Sequence, residues 1–156
     1  MRIGRFLTVN EVNNYIVEYQ SSALYLTLAN QSIPNNTWTY LSWQTEKYDS
    51  DGFWIVAKPT EIVIPKSGIY VLYLCIDWFA DNDGSRRCDS SLNLNPQIFD
   101  MIVPATLQEN REEVMGVFYI RDDQPLKWNV YQNSGGALLI TSAQILLVRH
   151  VDIDLW

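Results

Sequence analysis

Residues 61–84 read EIVIPKSGIYVLYLCIDWFADNDG, and the order of apolar runs and breakers in this stretch decides the fold class. Glu61 to Ile64 is a short β-prone run, and Pro65-Lys66-Ser67-Gly68 stops it with turn chemistry. Ile69 to Phe79 is then almost continuously apolar and aromatic, with Gly and Pro excluded from its interior. Such a run, bounded by turn signals, predicts a central strand covered on both faces. Asp81-Asn82-Asp83-Gly84 closes it as a turn.

The same grammar extends in both directions. Towards the N-terminus, Ser22 to Leu28 alternates through Leu24, Leu26 and Leu28, the Asn30 to Asn36 segment carries the turn signal Pro34-Asn35-Asn36, and Thr37 to Trp43 is a second run. Asp49-Ser50-Asp51-Gly52 breaks the chain before Phe53 to Ala57, and Pro59 breaks it again. Towards the C-terminus come Arg87 to Asn95, Ile98 to Val103, Glu113 to Arg121, Leu126 to Gln132 and Ala137 to Val148. Roughly eight to ten short strands in one domain, with no internal repeat, predict an all-β fold: a two-sheet antiparallel jelly-roll sandwich.

Composition agrees. The 156 residues are 47% hydrophobic and 13% aromatic, which suffices for a core and is unlike a disordered chain. A formal charge of −7, with no basic cluster longer than Arg86-Arg87, argues against nucleic acid as a partner. No apolar stretch approaches the ~20 residues that span a bilayer, and no signal-peptide core follows Met1. We therefore expect synthesis in a host cytoplasm and no membrane insertion. Cys75 and Cys88 match no zinc spacing, and a single disulfide between them has nothing to support it.

Residues 1 to 20 read differently from the rest. Thr8-Val9-Asn10-Glu11 fits a capping box, and Val12, Tyr15, Ile16 and Tyr19 fall at helical spacing, with Phe6 ahead of them. Asn13, Asn14 and the β-branched residues are mediocre helix formers, so the segment reads equally as a short amphipathic helix and as an edge strand. Three parts result: an arm over 1–20, the jelly roll over 21–150, and a tail over 151–156 whose alternating Val151-Asp152-Ile153-Asp154-Leu155 suits an edge strand.

Catalytic apparatus is not visible. The one histidine, His150, lies near no nucleophile motif and reads as a surface or interface residue, and no cofactor motif is present. Asp49 with Asp51, and Asp81 with Asp83, pair hard oxygens as calcium sites do, but both loops lack the terminal glutamate. A plain turn, with Asp capping its own backbone and Gly supplying positive φ, explains them better. If Cys88 faces the core, alternation turns Arg87 outward and leaves Arg86 on the inner or interface side, where it demands a carboxylate partner. Of the six tryptophans most should be core, while Trp54, after a turn, is the candidate contact for a host glycan.

Four segments carry a resemblance: 30–37 (NQSIPNNT), 48–52 (YDSDG), 62–70 (IVIPKSGIY) and 131–138 (YQNSGGAL). Together they resemble phage and bacterial jelly-roll heads, related in fold to tumour necrosis factor and to the globular heads of collagen-like complement proteins. The resemblance runs from about Leu24 to Val148, and departs from the family pattern at Asn93-Leu94-Asn95-Pro96 and at Arg121-Asp122-Asp123-Gln124-Pro125. It implies a ten-stranded jelly roll forming a threefold homotrimer, and a non-enzymatic role on a virion surface as capsid decoration, head fibre or tail-fibre component. It also implies a trimer interface, which we assign to Tyr131, Trp128, Asn129 and Tyr70. The arm would dock the head to a capsid or tail protein. The alternative is an adhesin or receptor-binding head that recognises host surface glycans.

Overall fold

Residues Gly68–Trp78 form an inner strand of a two-sheet sandwich. The computed structural model describes residues 22–92, 100–106, 110–122 and 125–150. Ten strands lie in them: β1 Ala23–Ile33, β2 Thr39–Tyr40, β3 Thr45–Asp49, β4 Ile62–Val63, β5 Gly68–Trp78, β6 Asp81–Leu92, β7 Asp100–Thr106, β8 Asn110–Ile120, β9 Pro125–Gln132 and β10 Leu138–Arg149. There is no helix among the described residues.

One sheet has the order β3-β1-β10-β5-β8; the other runs β2-β9-β6-β7, with β4 also pairing β9. Every pairing is antiparallel. From β4 onward the chain alternates between sheets, except that β6 and β7 share one, which is the jelly-roll path. Period-two alternation puts Leu24, Leu26 and Leu28 of β1, Tyr70, Leu72, Leu74 and Ile76 of β5, and Leu126, Trp128 and Val130 of β9 into one core. Trp43 meets Trp128 edge-on at 6.5 Å and Phe53 meets Tyr70 at 6.2 Å, the T-shaped geometry that aligns a ring's positive edge with a negative face.

Five expectations need correction. Phe53 to Ala57 is no strand: the Asp49 carboxylate accepts backbone N–H bonds from Asp51, Gly52, Phe53 and Trp54 at 2.8–3.2 Å, winding the segment into a loop. Thr37 to Trp43 pairs only at Thr39–Tyr40. Thr45–Asp49, polar and without apolar alternation, is nonetheless a strand, because the edge of β1 supplies the partners that its side chains do not. Finally, β5 is covered on one face only; Ile69, Val71 and Tyr73 face outward and are partly open. Asp81 to Gly84 falls inside β6, where the register against β7 shifts between Asp81 and Ser85.

Candidate functional site

A sandwich buries one face of each sheet and exposes the other, so the two outer faces are candidate binding surfaces. On the five-stranded sheet, register places Ala23, Val148, Val71 and Val117 in one row across β1, β10, β5 and β8. The next row is Tyr25, Leu146, Tyr73 and Met115, and Ile69 lies opposite Tyr119. Met115 is 62% exposed, and Val117 and Tyr119 are each 66% exposed. Apolar side chains on the solvent face of a long edge strand are what isolated proteins avoid. Farther along, the same face turns polar: Ser142, Asp77 and Arg111 form one row, and Gln144, Cys75 and Glu113 another. Arg111 pairs with Glu113 at 2.5 Å and with Asp77 at 3.7 Å. The face is therefore graded, apolar at the end of Ile69 and Tyr119 and charged at the other.

The outer face of the second sheet is different in kind. Trp38, just before β2, packs beside Tyr131 of β9, ring centroids 5.3 Å apart. The Arg87 guanidinium sits 5.4 Å from the Trp38 centroid, and Lys127 Nζ is 5.5 Å from that of Tyr40. The Tyr131 hydroxyl donates to Asn36 Oδ1 at 2.9 Å, and Asn129 lies half-exposed opposite Tyr40.

Between the sheets lies a buried polar cluster. Arg86, Glu112 and Gln132 are all at most 1% exposed, Arg86 opposite Gln132 in register and Glu112 on the inner face of β8. Burial pushes the Glu112 carboxyl up to about 7; the Trp78 indole N–H and the Arg86 charge pull it the other way. Arg86 thus turned inward, and a buried carboxylate stands within its electrostatic reach. Gln132 is a knot. Its Nε2 donates to the Ile33 and Gly136 carbonyls, and its Oε1 accepts from the Ser134 N–H and Oγ.

The interface residues assigned from sequence do not form one surface. Tyr70 and Trp128 are core, 0% and 1% exposed; burial pushes the Tyr70 hydroxyl up to about 12, and it donates to the Lys66 carbonyl. Tyr131 and Asn129 face outward from the second sheet, away from the apolar face. Trp54 is 7% exposed and packed in the core, so it offers no platform; among the described residues the exposed tryptophan is Trp38, at 43%. Asp49 is saturated by four backbone N–H groups and Gly52 takes φ +75°, as the turn reading required, and Asp51 accepts from Ser50 Oγ. Side chains of Asp81 and Asp83 lie outside the described residues, as do Phe6, Val12, Tyr15, Ile16, Tyr19 and the tail. Cys75 and Cys88 are buried and in no disulfide, and burial raises the Cys75 pKa. Among the described residues no cluster fit for a metal ion occurs, and no helix is long and apolar enough to cross a membrane. The apolar outer face went unrecognised in the sequence. Its signal was there in β8, where Val114, Phe118 and Ile120 on one parity and Met115, Val117 and Tyr119 on the other are all apolar, so both faces ask for cover.

Strand order, sheet pairing and crossing path together define a two-sheet antiparallel jelly roll. Among solved structures, murine APRIL is similar with a TM-score of 0.62 and 17% identity, covering 83% of this chain and 99% of that one. The globular domain of zebrafish complement 1qA has a TM-score of 0.58 and 8% identity, over 84% of this chain and 98% of that one. The PRD1 vertex protein P5 has a TM-score of 0.59 and 16% identity, over 85% of this chain and 74% of that one. No protein-family model matches the sequence, and no curated protein is similar to it in sequence.

Proposed function

We propose that this protein is a non-enzymatic virion structural component, a homotrimeric jelly-roll head in which the apolar outer face of the five-stranded sheet holds the copies together. That face carries the reading. Four strands of eleven or twelve residues and one of five, about 4.8 Å apart, give an outer face on the order of 800 Å², of which the apolar end is roughly half. A closed threefold ring needs a heterologous contact, in which two different patches of one chain meet. The sheet offers both: β8 at one edge with Met115, Val117 and Tyr119, and β1 with β10 towards the other with Tyr25, Leu146 and Val148.

Likeness in fold to a vertex protein of PRD1 supports a place on a virion, and residues 1 to 20 would then be the arm that attaches the head to a capsid or tail protein. Light scattering on the full chain at micromolar concentration should give three times the 18.1 kDa chain mass. Val117→Glu should yield folded monomer, because an unpaired carboxylate buried at the contact costs several kcal/mol. Val56→Glu, at a 77%-exposed loop position, should leave the trimer intact. A wild-type monomer overturns the assembly. Loss of particle cosedimentation on deleting residues 1 to 20, with the trimer retained, would establish the arm; unchanged cosedimentation would refute it.

A further inference from the structure

We propose that the strip formed by Trp38, Tyr131 and Tyr40 on the outer face of the second sheet binds a neutral oligosaccharide. Trp38 and Tyr40 are each 43% exposed, whereas Trp43, Trp78 and Trp128 are at most 2% exposed. The two exposed rings stand two residues apart on the same side of the chain, about 7 Å along it. They give the fold little: each ring leaves much of its surface in water.

They are nonetheless held in place. Gln31 Nε2 donates to the Tyr40 carbonyl at 2.8 Å, and its Oε1 accepts from the Ser42 N–H at 2.9 Å, fixing the backbone of β2. Asn36, at φ +56°, donates its N–H to the Gln132 carbonyl and accepts from the Tyr131 hydroxyl, while Asn35 Oδ1 accepts from the Gly135 N–H. Trp38 rests on Tyr131 at 5.3 Å. A surface arranged before its ligand arrives loses less freedom on binding.

The chemistry around the rings selects the occupant. A pyranose ring has an apolar C–H face that packs on an aromatic face, and a rim of hydroxyls that each donate and accept. Here the rim alternates donors and acceptors: the Asn129 and Asn36 amides, Lys127 Nζ over Tyr40, and Glu61, whose Oε1 lies 2.8 Å from that Nζ. Lys127, with Lys58 at 3.6 Å from the other oxygen, holds the Glu61 carboxyl below its ordinary pKa. At the Tyr40 end a phosphate or carboxylate would meet the Glu61 carboxylate, and at the Trp38 end the Arg87 guanidinium, 5.4 Å from the ring centroid, is a further donor for sugar hydroxyls. The site does not depend on the trimer, since it lies on the opposite side of the sandwich from the apolar face.

The test is binding of the labelled full-length protein to an array of neutral oligosaccharides built from glucose, galactose, mannose and N-acetylglucosamine, beside sialylated and uronic-acid glycans. At least one neutral structure should bind, at least tenfold more weakly after Trp38→Ala and several-fold more weakly after Tyr40→Ala. Thermal melting and light scattering of both variants should match wild type. If Trp38→Ala melts early, Tyr40→Ala and Glu61→Gln carry the test, each expected to weaken binding several-fold. Absence of neutral binding, confinement to acidic glycans, or binding indifferent to the substitutions overturns the site. A change of oligomeric state in a folded Trp38→Ala or Tyr40→Ala overturns it too, by showing a second copy to be the occupant. A wild-type monomer that still binds the array would refute the trimer and leave this site standing.

Discussion

Replacing Glu112 by Gln should remove much of the dependence of stability on pH between 5 and 8. Glu112 is 1% exposed on the inner face of β8, and neither carboxylate oxygen has a hydrogen-bond donor in bonding geometry among the described residues. Its pKa is pushed up to about 7 from 4.5, chiefly by loss of solvent, despite the Trp78 indole and the Arg86 charge. A carboxyl whose folded pKa lies above its unfolded one stabilises the protein fully below pH 4.5, and that contribution fades as pH rises through about 7. The loss is 1.36 kcal/mol per pKa unit, hence about 3 kcal/mol by pH 8, or roughly 6–12 °C in Tm for a chain of this size. Glutamine keeps the shape and carries no charge at either pH. Urea unfolding at pH 5 and pH 8, at one protein concentration, should show Glu112→Gln gaining on wild type by about 2.5 kcal/mol between the two, since part of the loss precedes pH 5. Parallel curves for the two proteins would refute the buried, ionising carboxyl. Arg86→Leu supplies the converse, since without the nearby cation Glu112 ionises still less readily and the pH dependence should steepen.

Three further outcomes follow from single contacts. Asp49→Ala deprives four backbone N–H groups of their acceptor and should lower urea-unfolding stability by about 2–3 kcal/mol, whereas a chelator should leave the wild-type Tm unchanged. Gly84→Ala should destabilise by about 2–3 kcal/mol in the same assay, since φ is +75° and an added Cβ would collide with the Asn133 side chain and carbonyl. Gln132→Leu strips partners from the Ile33 and Gly136 carbonyls and from Ser134, and should lower Tm with a cost of about 2–4 kcal/mol.

How much of this was legible in the sequence depends on which force decides each position. Where burial decides, alternation reads correctly: Leu24, Leu26 and Leu28 point inward, as do Leu126, Trp128 and Val130, and Arg86, assigned by parity from Cys88 to the inner or interface side, is buried. Where a side chain captures the backbone, the reading fails. Phe53 to Ala57 has strand composition, but one carboxylate four residues upstream wins it for a loop. Trp38 and Trp54 exchange roles for a related reason. Apolarity alone marks both for the core, and only the loop bound by Asp49 carries Trp54 inside, while the pairing of Thr39 with Val130 turns Trp38 to solvent. The apolar outer face was hidden by its own success as a strand signal, because β8 satisfies strand chemistry whichever face is considered.

The motifs that carried the resemblance illuminate why likeness in fold and identity of function separate here. In 131–138, Gln132 and Ser134 bond each other and the ends of β1 and the hairpin, while Asn133 Oδ1 takes the Ser85 N–H at 2.6 Å. In 62–70, the Tyr70 hydroxyl closes the turn at Lys66, and Ser67 exchanges hydrogen bonds with Asp122 across to the end of β8. Both segments are knots that fix strand crossings. A sequence can keep such knots, and with them the jelly roll, while the outer faces change freely, because outward side chains on a sheet contribute little to holding its two layers together. Function therefore has to be read from the two faces themselves, which differ in their chemistry. One is apolar on an unprotected edge, which only another macromolecular surface can cover well; the other displays aromatic rings among paired charges, which water tolerates until a small polar ligand replaces it. In the function proposed above, the first face holds the copies together and the second stays open to a ligand.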